Sequence, residues 1–398
     1  MNTQPHSKAA HETSATAVDE NLPWVVVGGG MVGASMALAL AEAGRHVVVL
    51  EPFPEQRYVA SEPYDLRISA ITADNIALLK QLGIWQELRD LRVQAFHQLA
   101  VREGNNDWLT FGDLVKPPLG YMIENRALQQ VLTSALQAHE RVRYVADGFA
   151  CFSAEQQVIT HSGEAIAYQY VVAADGLNSQ VRRAAGIGTA GASYPERCLL
   201  AIVEVAQPIP AATWQTFAGS EVHALLPLTD QQACLIVYAE PSVLNTWQQS
   251  DLEKELQARF TAQIGEFSLQ NSASFPLRHQ HALRYFSEQR NVVLIGDAAH
   301  GIHPLAGQGV NLGLRDVAGM RKVLLECTDG DQHFLTSLLR ALKQRQAENL
   351  LMGQGLDLVS RVFRSQHPVL QVGRKVGFSV LARTHQLRNW IGKIAGGY

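Results

Sequence analysis

The stretch Trp24-Val25-Val26-Val27-Gly28-Gly29-Gly30-Met31-Val32-Gly33 constrains this chain more than any other. Leu22 to Val27 is a short apolar run that ends in glycines, the pattern of a buried strand. Met31 to Ala43 is rich in Ala, Leu and Met and reads as a helix stopped at Gly44. His46 to Leu50 is a second apolar run. A strand, a glycine loop, a helix and a strand in this order predict a parallel sheet with helices on its faces. Gly28, Gly30 and Gly33 permit the tight turn, the close approach of a pyrophosphate, and close packing of helix on strand. The helix that opens at Met31 and Val32 offers free N–H groups and a partial positive charge to phosphates. Glu51 ends the second strand 18 residues after Gly33, where a carboxylate can accept hydrogen bonds from ribose hydroxyls. The stretch therefore reads as a dinucleotide site. An acid there disfavours a 2′-phosphate and leaves NAD and FAD both open.

The rest of the chain bounds what surrounds this unit. At 398 residues it is two domains or one large elaborated one. Hydrophobic residues make up 47% and charged residues 18%, so it can build a substantial core and is not a disordered chain. A net charge of −4 argues against general nucleic-acid binding. The charge is uneven. From Leu358 to Tyr398 there are seven basic residues and no acid, which leaves −11 on the remainder. Cys151, Cys198, Cys234 and Cys327 are far apart in sequence and form no CxxC pair, which fits a reducing cytoplasm. Residues 1–21 are polar and read as a disordered leader rather than a signal peptide. No apolar run reaches 18 residues, so no membrane-crossing helix is expected.

Two further motifs stand at strand ends. Tyr170 to Ala174 reads as a strand running into Asp175-Gly176-Leu177-Asn178-Ser179-Gln180-Val181-Arg182. The carboxyl end of a strand is where a doubly wound sheet binds ligands. Asp175 and Ser179 are equally well explained as turn and cap residues. Asn291 to Ile295 is another buried strand, followed by Gly296-Asp297-Ala298-Ala299-His300 and then Pro304-Leu305-Ala306-Gly307-Gln308-Gly309-Val310-Asn311-Leu312. This second segment opens a helix near Gly309 whose N-terminus can stabilise negative charge on a ligand. His300 and His303 have a pair-like spacing, but no further ligands accompany them in a Gly/Pro-rich loop, so no metal site is read here.

Between these motifs the periodicity changes. Leu99–Glu103 and Trp108–Phe111 flank a hairpin signal, and Cys198–Val205, Val222–Leu228 and Ala233–Ala239 read as antiparallel strands. Ala73–Leu82, Arg126–His139 and Asp251–Ile264 read as helices, and the chain from Phe334 is mostly helical up to an interruption at His367-Pro368. The expected organisation is α/β. Segments 22–95, 116–190 and 276–330 form a Rossmann-like nucleotide-binding domain with a parallel sheet. Segments 96–115 and 191–275 form an inserted antiparallel β-sheet substrate domain. Residues 331–398 form a helical C-terminal segment, basic after 358.

The three motifs, in this order and at these separations, resemble the class A flavoprotein aromatic hydroxylases, over essentially the whole chain. Asp65-Leu66-Arg67-Ile68-Ser69-Ala70-Ile71, Gly120-Tyr121-Met122-Ile123-Glu124-Asn125 and the tract Asp297–Arg315 resemble the ubiquinone-biosynthesis branch of that family. The resemblance implies a permanently held FAD. Gly28, Gly30, Met31, Val32, Gly33 and Glu51 would hold its ADP half, with Gln129 as a helix contact. Gly296 and Asp297 would meet the ribityl chain, and Gly307, Gln308, Gly309, Val310 and Asn311 the flavin ring. Arg67 and Asp175 would serve the pyrophosphate region and the passing nicotinamide nucleotide, and Pro304 would stand at the flavin–substrate face. No catalytic base is assigned. NAD(P)H would be the electron donor, O2 the oxidant and a polyprenyl benzoquinol the substrate, one oxygen atom going to its ring and the other to water. The absence of a second GxGxxG implies that NAD(P)H has no Rossmann domain of its own. A flavin reductase or dehydrogenase on the same fold, and a non-catalytic flavoprotein scaffold, are the competing readings.

The branch also implies partner proteins of a ubiquinone-synthesis assembly and a cytoplasmic location, peripheral at the inner face of the membrane. Leu387, Trp390, Ile391 and Ile394 follow i, i+3, i+4, i+7 spacing beside Arg388 and Lys393. That pattern suits either an anionic membrane surface or a helix packed on its own domain.

Overall fold

The computed structural model describes residues 22–53, 57–104, 108–113, 116–249, 251–302, 308–328, 331 and 333–364. The expected leader, His303, Pro304, Gly307 and the basic stretch beyond Arg364 lie outside the described residues.

The valine-rich runs form a six-stranded sheet. In spatial order its strands are Phe286–Ser287 (β18), Val292–Leu294 (β19), Val171–Ala173 (β12), Trp24–Val27 (β1), Val47–Leu50 (β2) and Val142–Val145 (β8). All neighbours run parallel except the β18 edge. The central strands are buried residue after residue, because helices cover both faces and leave nothing for polar alternation to do. The helix Met31–Glu42 (α1) packs against Asn125–Ala138 (α4) and Gly309–Glu326 (α8), and α8 against Phe334–Arg364 (α9). Every residue of α1 from Gly33 to Ala41 is buried, which its Ala-rich sequence allows by letting neighbours approach closely.

The second large sheet has eight strands. In order they are His300–Gly301 (β20), Phe267–Ala282 (β17), Thr189–Val205 (β13), Gln232–Ala239 (β16), Glu221–Pro227 (β15), Ala212–Ala218 (β14), Gln98–Glu103 (β5) and Leu109–Gly112 (β6). All neighbours are antiparallel except β14–β5. Here the side chains alternate faces with period two. Leu199, Ala201 and Val203 join Leu235 and Val237 under the helices Pro241–Gln249 (α6) and Leu252–Ile264 (α7). Cys198, Leu200 and Ile202 face the other way, onto a separate cluster that includes Tyr64, Leu66 and Ile68. This sheet takes strands from both segments expected to be β-rich and runs on to Ala282 and His300–Gly301.

Two small sheets complete the fold. Ile68–Thr72 (β3), Gly120–Glu124 (β7) and Val93–Phe96 (β4) form one, with β7 central. Phe149–Phe152 (β9), Gln157–Thr160 (β10) and Ala165–Ala167 (β11) form the other. The remaining helices are Ala73–Gln81 (α2), Trp85–Arg89 (α3) and Gln180–Ala184 (α5).

Candidate FAD site

The three motif strands are neighbours. β19, β12 and β1 lie side by side and parallel, with Leu294, Ala173 and Val27 level at their carboxyl ends. The Ala174 N–H donates to the Val27 carbonyl at 2.8 Å, and the Ile295 N–H to the Ala173 carbonyl at 3.1 Å. The turns that follow therefore open on one edge of one sheet, where an open α/β sheet binds its ligand.

The first turn is built around missing side chains. Gly28 has φ +97°, and a Cβ there would sit 2.4 Å from the Ala174 carbonyl oxygen. A Cβ on Gly33 would lie 1.9 Å from the Gly28 oxygen, so only glycine lets α1 start this close to β1. Gly30, the N-cap of α1, has no atom within 4 Å of the same position. Its backbone is open to an approaching group, as a pyrophosphate requires. Glu51 supports the loop: one carboxylate oxygen accepts from the Gly29 N–H at 2.8 Å, the other from the Phe53 N–H at 2.9 Å. A carboxylate has about four lone-pair positions, so capacity remains for ribose hydroxyls. Gln129, buried on α4, donates to the Gly29 carbonyl and to Thr133 Oγ1.

Gly30, Met31, Glu51, Arg67 and Gln129 line one cleft of about 350 Å³. Phe53, Asp65, Asn125, Arg126 and Tyr144 complete it. The guanidinium of Arg67 has no ion pair among the described residues, whereas that of Arg126 is held by Asp65 at 2.9 Å. Sequence reasoning passed over these five. Asp65 and Asn125 lie within tracts already singled out, and Arg126 and Phe53 stand next to or near named residues. Tyr144 carries no local signal, since only the β2–β8 pairing brings it beside Val49.

At the second motif, Asp175 Oδ2 accepts from the Gln180 and Val181 N–H groups at 2.7 and 3.2 Å, and Ser179 Oγ from the Arg182 N–H at 2.9 Å. Both residues thus organise the start of α5. Asp175 Oδ1 is buried without a partner and leaves one oxygen for another role. The buried Arg182 donates to the Ala298 carbonyl at 2.7 Å and the Leu177 carbonyl at 3.1 Å, tying the second motif to the third.

At the third motif, Gly296 turns the chain and Val32 of the first motif packs on it. Asp297 is solvent-accessible yet ringed by protein, as on a cleft wall. Desolvation raises its carboxyl above the ordinary range against the opposing pull of His300. It has no hydrogen-bond partner among the described residues, so its carboxyl can meet a hydroxyl-bearing chain. Gln308, Gly309, Val310 and Asn311 open α8. The Asn311 side chain is fully engaged: it accepts from Thr72 and Asn75 and donates to the Ala70 carbonyl at 2.7 Å. It fixes α8 on β3 and α2, and only main-chain atoms remain to face a ligand. His300 is wholly buried against Asp316. Among the described residues no group of three His, Cys, Asp or Glu side chains could hold a metal.

An open glycine backbone, an acid with acceptor capacity left over, a guanidinium without an ion pair among the described residues and the Asp297 carboxyl suit FAD. The family described as an FAD binding domain matches residues 21–339. The chain belongs to the FAD binding domain family. Within this family it is 37% identical to the 3-demethoxyubiquinol 3-hydroxylase of Escherichia coli (strain K12), over 94% of this chain and 97% of that protein. It is 31% identical to the ubiquinone hydroxylase UbiL of Rhodospirillum rubrum, over 92% of this chain and 87% of that protein. The fold matches the crystal structure of p-nitrophenol 4-monooxygenase PnpA from Pseudomonas putida DLL-E4, with a TM-score of 0.72 and 18% identity over 93% of this chain and 96% of that one. This member of the FAD binding domain family is an FAD-dependent monooxygenase.

On the inserted strands, His223 faces away from this site, bonded to Glu221 and packed on Phe260. Tyr238 lies on the inward face with Cys198. Burial, then the neighbouring cysteines, raises its phenol well above the usual value, so it is a neutral hydroxyl.

Proposed function

We propose that this monooxygenase hydroxylates the ring of a polyprenyl benzoquinol, a demethoxyubiquinol, in ubiquinone synthesis, with NAD(P)H as donor and O2 as oxidant. The observation that carries the reading is the pairing of two surfaces. Three nucleotide-binding turns share one sheet edge, and the inward face of the eight-stranded sheet is an apolar cluster that reaches Tyr64, Leu66 and Ile68 beside Arg67. An apolar wall suits an isoprenoid chain, since each buried CH2 contributes about 0.8 kcal/mol.

Bound FAD supplies electron transfer from the nicotinamide and activation of O2. The protein supplies position and dryness. Gly28, Gly30, Met31, Val32, Gly33, Glu51 and Gln129 hold the ADP half, Arg67 and Asp175 the pyrophosphate region, and Gly296 with Asp297 the ribityl chain. Gln308, Gly309, Val310 and Asn311, at the start of α8, would meet the ring. The N-terminus of α8 favours negative charge developing there. The apolar wall excludes water while oxygen is transferred. In this division of labour residues 22–95, 116–190 and 276–330 hold the cofactor, and 96–115 with 191–275 the substrate.

Such a substrate resides in a membrane. Among the described residues no helix is long and apolar enough to cross one. We place the enzyme at the cytoplasmic face as a peripheral protein, with the basic stretch after Leu358 and partner proteins of the pathway as its contacts. Loss of liposome binding on truncation after Arg364 tests the stretch.

The test of function is incubation of the holoenzyme with NAD(P)H, isotopically labelled O2 and a short-chain demethoxyubiquinol. The expected product gains one labelled oxygen atom by mass spectrometry. NAD(P)H oxidation with the quinol unchanged would overturn the reading.

A further inference from the structure

Asp316 is 2% exposed in the middle of α8, yet no cofactor contact is assigned to it. Its carboxylate gathers donors from three other elements. Oδ2 accepts from the Gly296 N–H at 3.1 Å and from His300 Nε2. Oδ1 accepts from Arg345 Nε at 3.0 Å and Asn349 Nδ2 at 2.9 Å, both on α9. Arg345 and Asn349 also bond each other at 2.6 Å. All four acceptor positions of a buried carboxylate are therefore filled, the condition under which such a group specifies one arrangement instead of weakening the fold. Burial alone would raise the Asp316 carboxyl, but His300, Arg345 and Asn349 outweigh it and hold it below the ordinary range.

The elements joined this way are those that must be in register for flavin binding. Gly296 immediately precedes Asp297. Seven residues before Asp316, α8 opens at Gly309. Val32 of the first motif packs on both Gly296 and Gly313. A slide of α8 against the turn would move Asp297 away from the tract that runs along the ring. Helix α9 supplies two of the four donors and lines none of the cleft around Gly30.

We propose that Asp316 is a positioning residue that sets the register of the Gly296–Asp297 turn against the N-terminus of α8, and that Arg345 and Asn349 make α9 part of the flavin-holding apparatus. The proposal rests on the FAD reading above. The test titrates folded apoprotein with FAD and follows quenching of flavin fluorescence, for wild type, Arg345→Met, Arg345→Lys and the near-isosteric Asp316→Asn. Visible circular dichroism of the bound flavin and the melting of each apoprotein are recorded beside it. Arg345→Met leaves the buried Asp316 short of a donor and should lower apoprotein melting; in the apoprotein that is still folded it should also raise the FAD dissociation constant by about tenfold or more and alter the flavin dichroism. Arg345→Lys should bind more tightly than Arg345→Met. A purely structural network would lower apoprotein melting and leave FAD affinity within twofold of wild type, and that result overturns the proposal. Failure of both Arg345→Met and Asp316→Asn to fold overturns it equally. Failure of the wild type to bind FAD sinks the cofactor reading instead.

Discussion

The two large sheets bury their residues by different rules. In the six-stranded sheet the four central strands are apolar throughout and their chemistry is exported to the turns at one edge. In the eight-stranded sheet the strands β13 to β17 each serve two clusters at once, one under α6 and α7 and one facing inward, and no turn carries a motif. The first region is intolerant at a few backbone positions. The second is a wall whose properties are spread over many side chains. Substitutions in the two should therefore fail in different ways.

The largest effect is expected at Gly33. A side chain there would collide with the Gly28 carbonyl, a main-chain atom that cannot give way as a flexible side chain could. Gly33→Val should abolish FAD binding in a titration of the refolded protein, and retained stoichiometric binding would break the contrast. Next is Leu235, wholly buried on the outer face of the eight-stranded sheet. Leu235→Ala should cost roughly 2–5 kcal/mol in denaturant unfolding and leave the native flavin spectrum unchanged. A changed spectrum would mean that the wall and the flavin turns are not independent. Asp297→Ala removes an acceptor without filling space. The lost hydrogen bond to a charged group is worth about 1.5–3 kcal/mol, so FAD affinity should fall by about tenfold to a hundredfold in the same titration.

The smallest effect is expected at the β17–β20 edge of the eight-stranded sheet. His281 on β17 pairs with His300 on β20. Burial, then the charge of His300, lowers its pKa from 6.5 to about 4 against the pull of Asp316. The fold thus prefers neutral His281. Its contribution is fully present above about pH 6.5 and is lost as pH falls toward 4. His281→Asn should flatten the acid limb of a stability–pH profile in that window, and an unchanged slope would show that the fold does not hold His281 neutral.

The same contrast decides what the sequence reveals. The starts of β1, α1, β2 and α8 were legible because glycines and a continuous apolar run report a nucleotide-binding turn locally. So were β15, β16 and the later part of β13, which are apolar runs bounded by turn residues. The long β17, with Pro276 and several histidines and serines, has no such apolar run. Its pairing with β13 across the fold makes it a strand. At the site, Gly30, Glu51, Arg67 and Gln129 were readable and meet in one cleft. The cap role of Asp175 was one of two readings left open. Tyr144 and Asp316 were not visible, and Arg182 stood in the second motif without a role, since each acts on partners brought near only by the fold.

The central claim is that the turns after β1, β12 and β19 together grip FAD. Its most direct measurement is titration of folded wild-type apoprotein with FAD, followed by flavin fluorescence. Quenching that saturates at one FAD per chain, with a yellow protein recovered after gel filtration, is the predicted result. A folded protein that stays colourless and leaves the fluorescence unquenched would contradict it.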